Sequence, residues 1–337
     1  MSRGVAGSAA GGIAQKLLGV VLLLFFVPLA LFVLTGPPSW SGAAYALAPV
    51  VLAGSLALPE RFMRRTLLAG VALLVIPALA RVVFTKRAGD VRVVDRLVDE
   101  RDLSVDAARA IARTRFMSDP DVPLLPDAMR SAYDDMGREE GALPSPVLAT
   151  YAGLERPGAS DTIELDHAGD AAVVFLHGYA GNFTMSCWLF ARAAARAGMA
   201  TSCPSTSWRG DWWTAPSESI VRDTIASLRA RGKTHVFLAG LSNGGIGASR
   251  LAPRLRGDIE GLVLVSGAAP DAGAPGVPTL VLQGRRDAQI PASIPRDYAA
   301  RVGAKYVELG DGHFMLLVDR ERTAREISEW LGGRSRI

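Results

Sequence analysis

After Asp161, short runs of β-branched and other apolar residues alternate with longer amphipathic segments, and this alternation leaves few folds open. The strand candidates are 162–165, 172–176, 199–203, 235–239, 261–265, 279–283 and 305–309. Helix candidates fall at 184–197, 217–231, 244–255 and 314–330. Strands that are apolar along their whole length must be covered on both faces, which implies a mostly parallel sheet flanked by helices. In such a sheet ligands bind beyond the carboxyl ends of the strands.

One strand end carries a specific signal. His235-Val236-Phe237-Leu238-Ala239 runs into Gly240-Leu241-Ser242-Asn243-Gly244, and a helix candidate starts directly afterwards. A serine at so tight a strand-to-helix turn is held in a strained backbone with its hydroxyl exposed, and glycine leaves room at the flanking positions. Small residues continue through Gly245, Gly247 and Ala248, as close packing of the helix on the sheet requires. Ser242 is the candidate nucleophile.

A serine hydroxyl needs a base, and the base needs an orienting group. The chain has four histidines. His235 begins the strand before the serine and belongs at the far end of the sheet, and His167 sits in a polar turn ahead of the core strands. His177 lies in Leu176-His177-Gly178-Tyr179, on the turn expected to line the oxyanion pocket. His313, in the loop Gly310-Asp311-Gly312-His313-Phe314 after the last strand, remains as the base. The acid is expected between serine and histidine. Asp287 follows the strand 279–283 within a turn; Asp271 is its rival, and Asp311 lies too close to His313 in sequence to orient it. The backbone N–H groups of Asn243 and Tyr179 are the expected oxyanion donors. Phe183 and the cluster Trp208, Trp212 and Trp213 are candidates for a substrate pocket, although the tryptophans could equally pack their own loop.

The N-terminal part obeys different rules. The first 58 residues contain no Asp or Glu, and 17–35 is apolar without a charge. At ~1.5 Å per residue that run reaches roughly 28 Å, close to the hydrocarbon thickness of a bilayer. Gly36-Pro37-Pro38-Ser39-Trp40 reads as a turn with an interfacial Trp rather than a signal-peptide cleavage site. Two further apolar runs follow at 43–58 and 67–84, the second carrying Arg81 where its side chain could snorkel. Arg3, Lys16 and the arginines after Pro59 favour an inside N-terminus, while Arg81, Lys86 and Arg87 pull the other way. Three crossings, the favoured count, make a multi-pass membrane protein with its catalytic part outside the cytoplasm; two crossings, with the middle run not spanning, place that part in the cytoplasm.

Between the two parts, 89–160 is charged, with helix candidates at 91–101 and 104–116, the latter started by Ser104, and with proline clusters that break it up. It reads as a helical linker that is a stalk, a cover for the site or a plain connector. The expected organisation is therefore a membrane segment over 1–88, this linker over 89–160 and a catalytic domain over 161–337. With 37 basic and 33 acidic residues spread along the chain, no basic stripe points to nucleic acid. The two cysteines, Cys187 and Cys203, are expected as buried thiols, with a disulfide open to them in an oxidising compartment. No cluster suggests a metal, and no glycine loop suggests a nucleotide cofactor.

The His177-Gly178 turn, the Ser242 elbow, the Asp287 turn and the Gly-His-Phe loop at His313 together resemble the α/β-hydrolase superfamily. Ser242-Asn243-Gly244-Gly245 is similar to its carboxylesterase, acyl-thioesterase and dienelactone-hydrolase-like branches. The resemblance covers roughly 161–330 and implies that fold, an acyl-enzyme mechanism and a small or lipid-like acyl ester as substrate. The connection 267–278 is too short for an inserted lid, so an open site is implied. Thioesterase, peptidase and acyltransferase chemistry use the same triad. A membrane-tethered binding module without catalysis is the alternative from another class.

Overall fold

The computed structural model describes residues 3–35, 38–84, 96–114, 117–143, 145–151, 161–310 and 312–334. Gly36 and Pro37 of the expected turn, Lys86, Arg87, residues 91–95 of the first expected linker helix, 115–116 of the second, and Asp311 lie outside them. The chain divides into two compact units, one built from the N-terminal helices with residues 96–106, the other from residue 107 onward.

In the first unit, α1 (Arg3–Leu34), α2 (Trp40–Ala57) and α3 (Glu60–Phe84) are three helices long and apolar enough to cross a membrane, with mean hydropathies of 3.1, 1.4 and 2.4 over their apolar spans. Leu24, Phe25, Ile76, Val83 and Phe84 are exposed. Ser39 caps α2, its Oγ accepting from the Gly42 N–H at 3.1 Å. Arg81, near the end of α3, is held by hydrogen bonds and charge. Its Nε donates to the Arg96 carbonyl at 2.9 Å and its Nη2 lies 3.6 Å from Asp99, because residues 96–102 fold back onto the helix ends. Asp102 likewise accepts from the Ser39 N–H at 3.0 Å.

Helix α4 (Glu100–Thr114) starts one turn before the expected Ser104. Asp99 Oδ1 accepts from the N–H groups of Arg101 and Asp102 and takes the capping role, so the signal at Ser104 was a mid-helix residue.

The second unit contains α5 (Leu125–Glu139), opened by Pro126 in its first turn, and the short α6 (Val147–Tyr151). Its sheet has seven strands: β1 (Ile163–Leu165), β2 (Ala171–Leu176), β3 (Ala200–Cys203), β4 (His235–Leu241), β5 (Gly261–Val265), β6 (Thr279–Gly284) and β7 (Lys305–Leu309). Their order is β1-β3-β2-β4-β5-β6-β7, with β1 antiparallel to β3 and the other pairs parallel. The helices are α7 (Thr184–Arg196), α8 (Ala215–Ala230), α9 (Asn243–Leu255), α10 (Ser293–Val302), α11 (Met315–Val318) and α12 (Arg320–Gly332). Every residue of β2, β5 and β6 is buried, as strands covered on both faces must be. One core joins α5, α7, α11 and α12 to one face of the sheet; the other is completed by α8, α9 and α10. This is the α/β-hydrolase architecture expected from the motifs, and no helix is inserted between β5 and β6 among the described residues.

Two expectations are corrected. The single C-terminal helix is two, broken at Asp319, whose backbone (φ −114°, ψ 49°) leaves the helical region. Cys187 and Cys203 are not free thiols. α7 packs against β3 with both residues fully buried and their Cα atoms 6.1 Å apart, and they form a disulfide.

Candidate active site

Strand β4 ends in a bend at Ser242, whose φ of 54° lies in the left-handed region that a residue with a side chain rarely enters. The space around it explains the flanking glycines. A Cβ on Gly240 would stand 2.2 Å from the Gly244 carbonyl oxygen, and one on Gly244 would stand 2.0 Å from that of Leu176. The bend is held by the Ser242 N–H donating to the Val265 carbonyl at 2.9 Å. Its hydroxyl is left at the carboxyl edge of the sheet, half-buried.

The structure brings the three expected side chains together. His313 Nε2 lies 2.9 Å from Ser242 Oγ, and His313 Nδ1 lies 2.8 Å from Asp287 Oδ2. The imidazole is largely buried and the carboxylate side chain fully so. Asp287 is itself fixed on every side. Its Oδ1 accepts from the N–H groups of Gln289 and Ile290 at 2.8 and 2.9 Å, and Gln283 Nε2 donates to its Oδ2 at 2.7 Å. Burial pushes the Asp287 carboxyl up, but the hydrogen bond and charge of His313, with the two backbone donors, outweigh it and hold it below the usual carboxylate value. It therefore remains an acceptor for Nδ1–H at neutral pH.

Asp271, the rival acid, is exposed and bonded to Arg250 at 2.9 Å, away from His313. His235 is exposed at the start of β4, 2.8 Å from a Glu260 carboxylate oxygen that raises its pKa. His167 is half-buried in the connection between β1 and β2.

His177 organises the turn that carries Tyr179. Complete burial pushes its pKa down to about 4, only partly offset by its hydrogen bonds, so the ring is neutral. Nδ1–H then donates to the Gly178 carbonyl at 2.8 Å, and Nε2 accepts from the Thr206 N–H at 3.2 Å. This ties the turn carrying Tyr179 to the loop after β3. The turn runs directly against Ser242, since a Cβ on Gly178 would lie 3.2 Å from Ser242 Cβ. Asn243 is the first residue of α9, where backbone N–H groups lack an intrahelical acceptor, and its side chain donates to the Arg209 carbonyl at 2.8 Å.

The aromatic candidates separate. Trp212 is fully buried, its Nε1–H donated to the His177 carbonyl at 2.9 Å, so it packs the loop and presents no surface to a ligand. Trp208 is half-buried and meets the Tyr179 ring edge-on at 5.1 Å. Trp213 is exposed beneath the Arg250 guanidinium, and Phe183 is half-buried at the N-terminus of α7. Residues that sequence reasoning missed also reach the site. Tyr151 of α6 stacks on Trp208 at 6.1 Å, and Thr150 abuts the turn, where a Cβ on Gly181 would be 3.0 Å from its Oγ1. The turn carrying Tyr179 is therefore flanked by residues upstream of 161 rather than fully open. Gln283, a polar residue ending the apolar run Thr279-Leu280-Val281-Leu282, was the one missed residue with a local signal.

No protein-family model matches the chain, and no curated protein matches it. Solved structures do resemble it. A protein described as a predicted CIB-like hydrolase from Thermoplasma acidophilum is 20% identical, over 51% of this chain and 91% of that one, with a TM-score of 0.43. Est1E from Butyrivibrio proteoclasticus is 15% identical, over 50% and 92%, with a TM-score of 0.44. A monoacylglycerol lipase from Paleococcus ferrophilus is 17% identical, over 52% and 99%, with a TM-score of 0.43.

Proposed function

We propose that the chain is a membrane-anchored serine hydrolase that cleaves carboxylic esters through an acyl-enzyme. One observation carries this: the unbroken line from Asp287 through His313 to Ser242, with contacts of 2.8 and 2.9 Å. Ser242 Oγ attacks the ester carbonyl as His313 Nε2 takes its proton. The tetrahedral oxyanion is met by the N–H groups of Asn243 and Tyr179. Collapse breaks the bond to the alcohol oxygen, which leaves with the proton from His313. Water, deprotonated by the same imidazole, then frees the acid and restores Ser242. Asp287 stays ionised throughout and holds the Nδ1–H tautomer. The aromatic surfaces of Tyr179 and Trp208 border the site and suit an acyl ester. Thioesters, peptides and acyl transfer fit the same machinery and are arms of the test.

The full chain in detergent, mixed with a short-chain nitrophenyl ester, is expected to release a burst of nitrophenol stoichiometric with enzyme and then turn over. Folded protein that gives neither burst nor turnover with esters or thioesters would instead be the non-catalytic tethered module.

Membrane anchoring rests on the three apolar helices. Three crossings from an inside N-terminus put the catalytic unit outside the cytoplasm, and the Cys187–Cys203 disulfide, a bond of oxidising compartments, supports that side. Protein denatured without reductant is expected to resist maleimide and to take up two equivalents after reduction. Free thiols in the unreduced protein would remove this support.

A further inference from the structure

We propose that Asp119 and Asp121, on the segment before α5, are positioning residues for the catalytic base; this rests on the triad reading above. Both carboxylates are buried, at 4% and 3% exposure, and burial of a charge is costly unless it is hydrogen-bonded. Their partners are two loops of the site. Asp119 Oδ2 accepts from the N–H of His313 at 3.0 Å and from that of Ala288, next to Asp287, at 3.1 Å. One oxygen thus ties the base loop to the acid loop. Asp121 Oδ1 accepts from the Gly312 N–H at 3.1 Å and its Oδ2 from the Phe314 N–H at 3.0 Å, bracketing His313. Asp119 Oδ1 accepts from the Asp121 N–H at 3.0 Å, and Pro120 between them restricts the backbone, so the two carboxylates are held as one clasp.

Gly312 is independent evidence of how closely the clasp fits. A Cβ there would lie 2.0 Å from Asp119 Oδ1 and 2.7 Å from its Cγ, so the loop approaches the carboxylate closer than any other residue type permits. Each charge-assisted bond is stronger than a neutral one. Together they fix the backbone on both sides of an imidazole that must shuttle a proton over 2.9 Å. Because the clasp bonds backbone beside the reacting groups, its loss acts on the orientation of His313 and Asp287.

The test is steady-state ester hydrolysis by the full chain, with active sites titrated by fluorophosphonate and folding followed by melting. Misplacement of a catalytic group by about 1 Å costs about 10²-fold, so Asp119→Ala and Asp121→Ala are expected to lose about that in kcat with KM little changed. Asp119→Asn and Asp121→Asn, which keep one acceptor oxygen each, should fall between these and wild type; they carry the test if an alanine variant fails to fold. Asp127→Asn, whose exposed carboxylate pairs with Arg130, is expected to match wild type. Gly312→Ala should lower kcat in the wild-type background and have no further effect in Asp119→Ala, where its collision partner is gone. Folded Asp119 and Asp121 variants with wild-type kcat, or a Gly312→Ala loss undiminished in Asp119→Ala, would overturn the proposal. If Ser242→Ala still turns over ester, the triad reading fails; if Ser242→Ala is inactive while the Asp119 and Asp121 variants are not, only the clasp does.

Discussion

Ser242→Ala is expected to lower kcat for ester hydrolysis by about 10⁶-fold, roughly 8 kcal/mol of transition-state stabilisation. The size follows from the role. Without Oγ no acyl-enzyme forms, and His313 and the oxyanion donors are left to assist direct attack by water, which retains about 10³–10⁴ over the uncatalysed rate. The nitrophenol burst should vanish with the turnover. Substrate binding should persist, because the aromatic side chains of Tyr179 and Trp208, proposed to border the substrate, are untouched. The strained backbone at Ser242 is retained with alanine, so the melting temperature is expected to change little. A residual rate within tenfold of wild type would mean that another group is the nucleophile.

The second large effect is Asp287→Asn, for which a loss of about 10⁴ in kcat is expected. The hydrogen bonds decide which way the new amide faces. The N–H groups of Gln289 and Ile290 both point at Oδ1, so the carbonyl oxygen of the amide must take that place. Its NH₂ is then turned toward His313 Nδ1, where the carboxylate oxygen stood. An imidazole that accepts at Nδ1 carries its proton on Nε2 and has no lone pair for the Ser242 hydroxyl. A flip of Gln283 would present its Oε1, buried without a hydrogen-bond partner, to the new NH₂, but at the cost of the bond its Nε2 donates to the Ile290 carbonyl at 3.0 Å. The protein should therefore fold, with some loss of melting temperature, and be inactive for want of the right tautomer. Measured kcat close to wild type would show that Asp287 does not set the protonation of His313.

How much of this was legible in the sequence follows from the reach of each signal. The apolar strands were read nearly to their ends because burial on both faces writes itself into consecutive residues, as in Ala171–Leu176 and Gly261–Val265. Ser242 was legible because its bend constrains its neighbours, and His313 because three other histidines had places that excluded them. Helix α10 was missed, since Pro291 and Pro295 obscure its amphipathic pattern. The clasp was invisible for a stronger reason. Asp119 and His313 are separated by 194 positions, and an acidic residue beside a proline looks the same whether it faces water or a buried backbone N–H. The disulfide and the burial of Trp212 were likewise products of tertiary packing. Cysteine and tryptophan suit a core as well as a site, and only the packing of α7 on β3, and of the loop after β3 on His177, decides between them.

Covalent trapping goes most directly to the nucleophile. Full-length protein treated with a fluorophosphonate, then digested and analysed by mass spectrometry, is expected to carry one phosphonyl group, on Ser242, with none on the Ser242→Ala variant. Folded protein that stays unmodified, or that carries the group on another residue, would contradict the account.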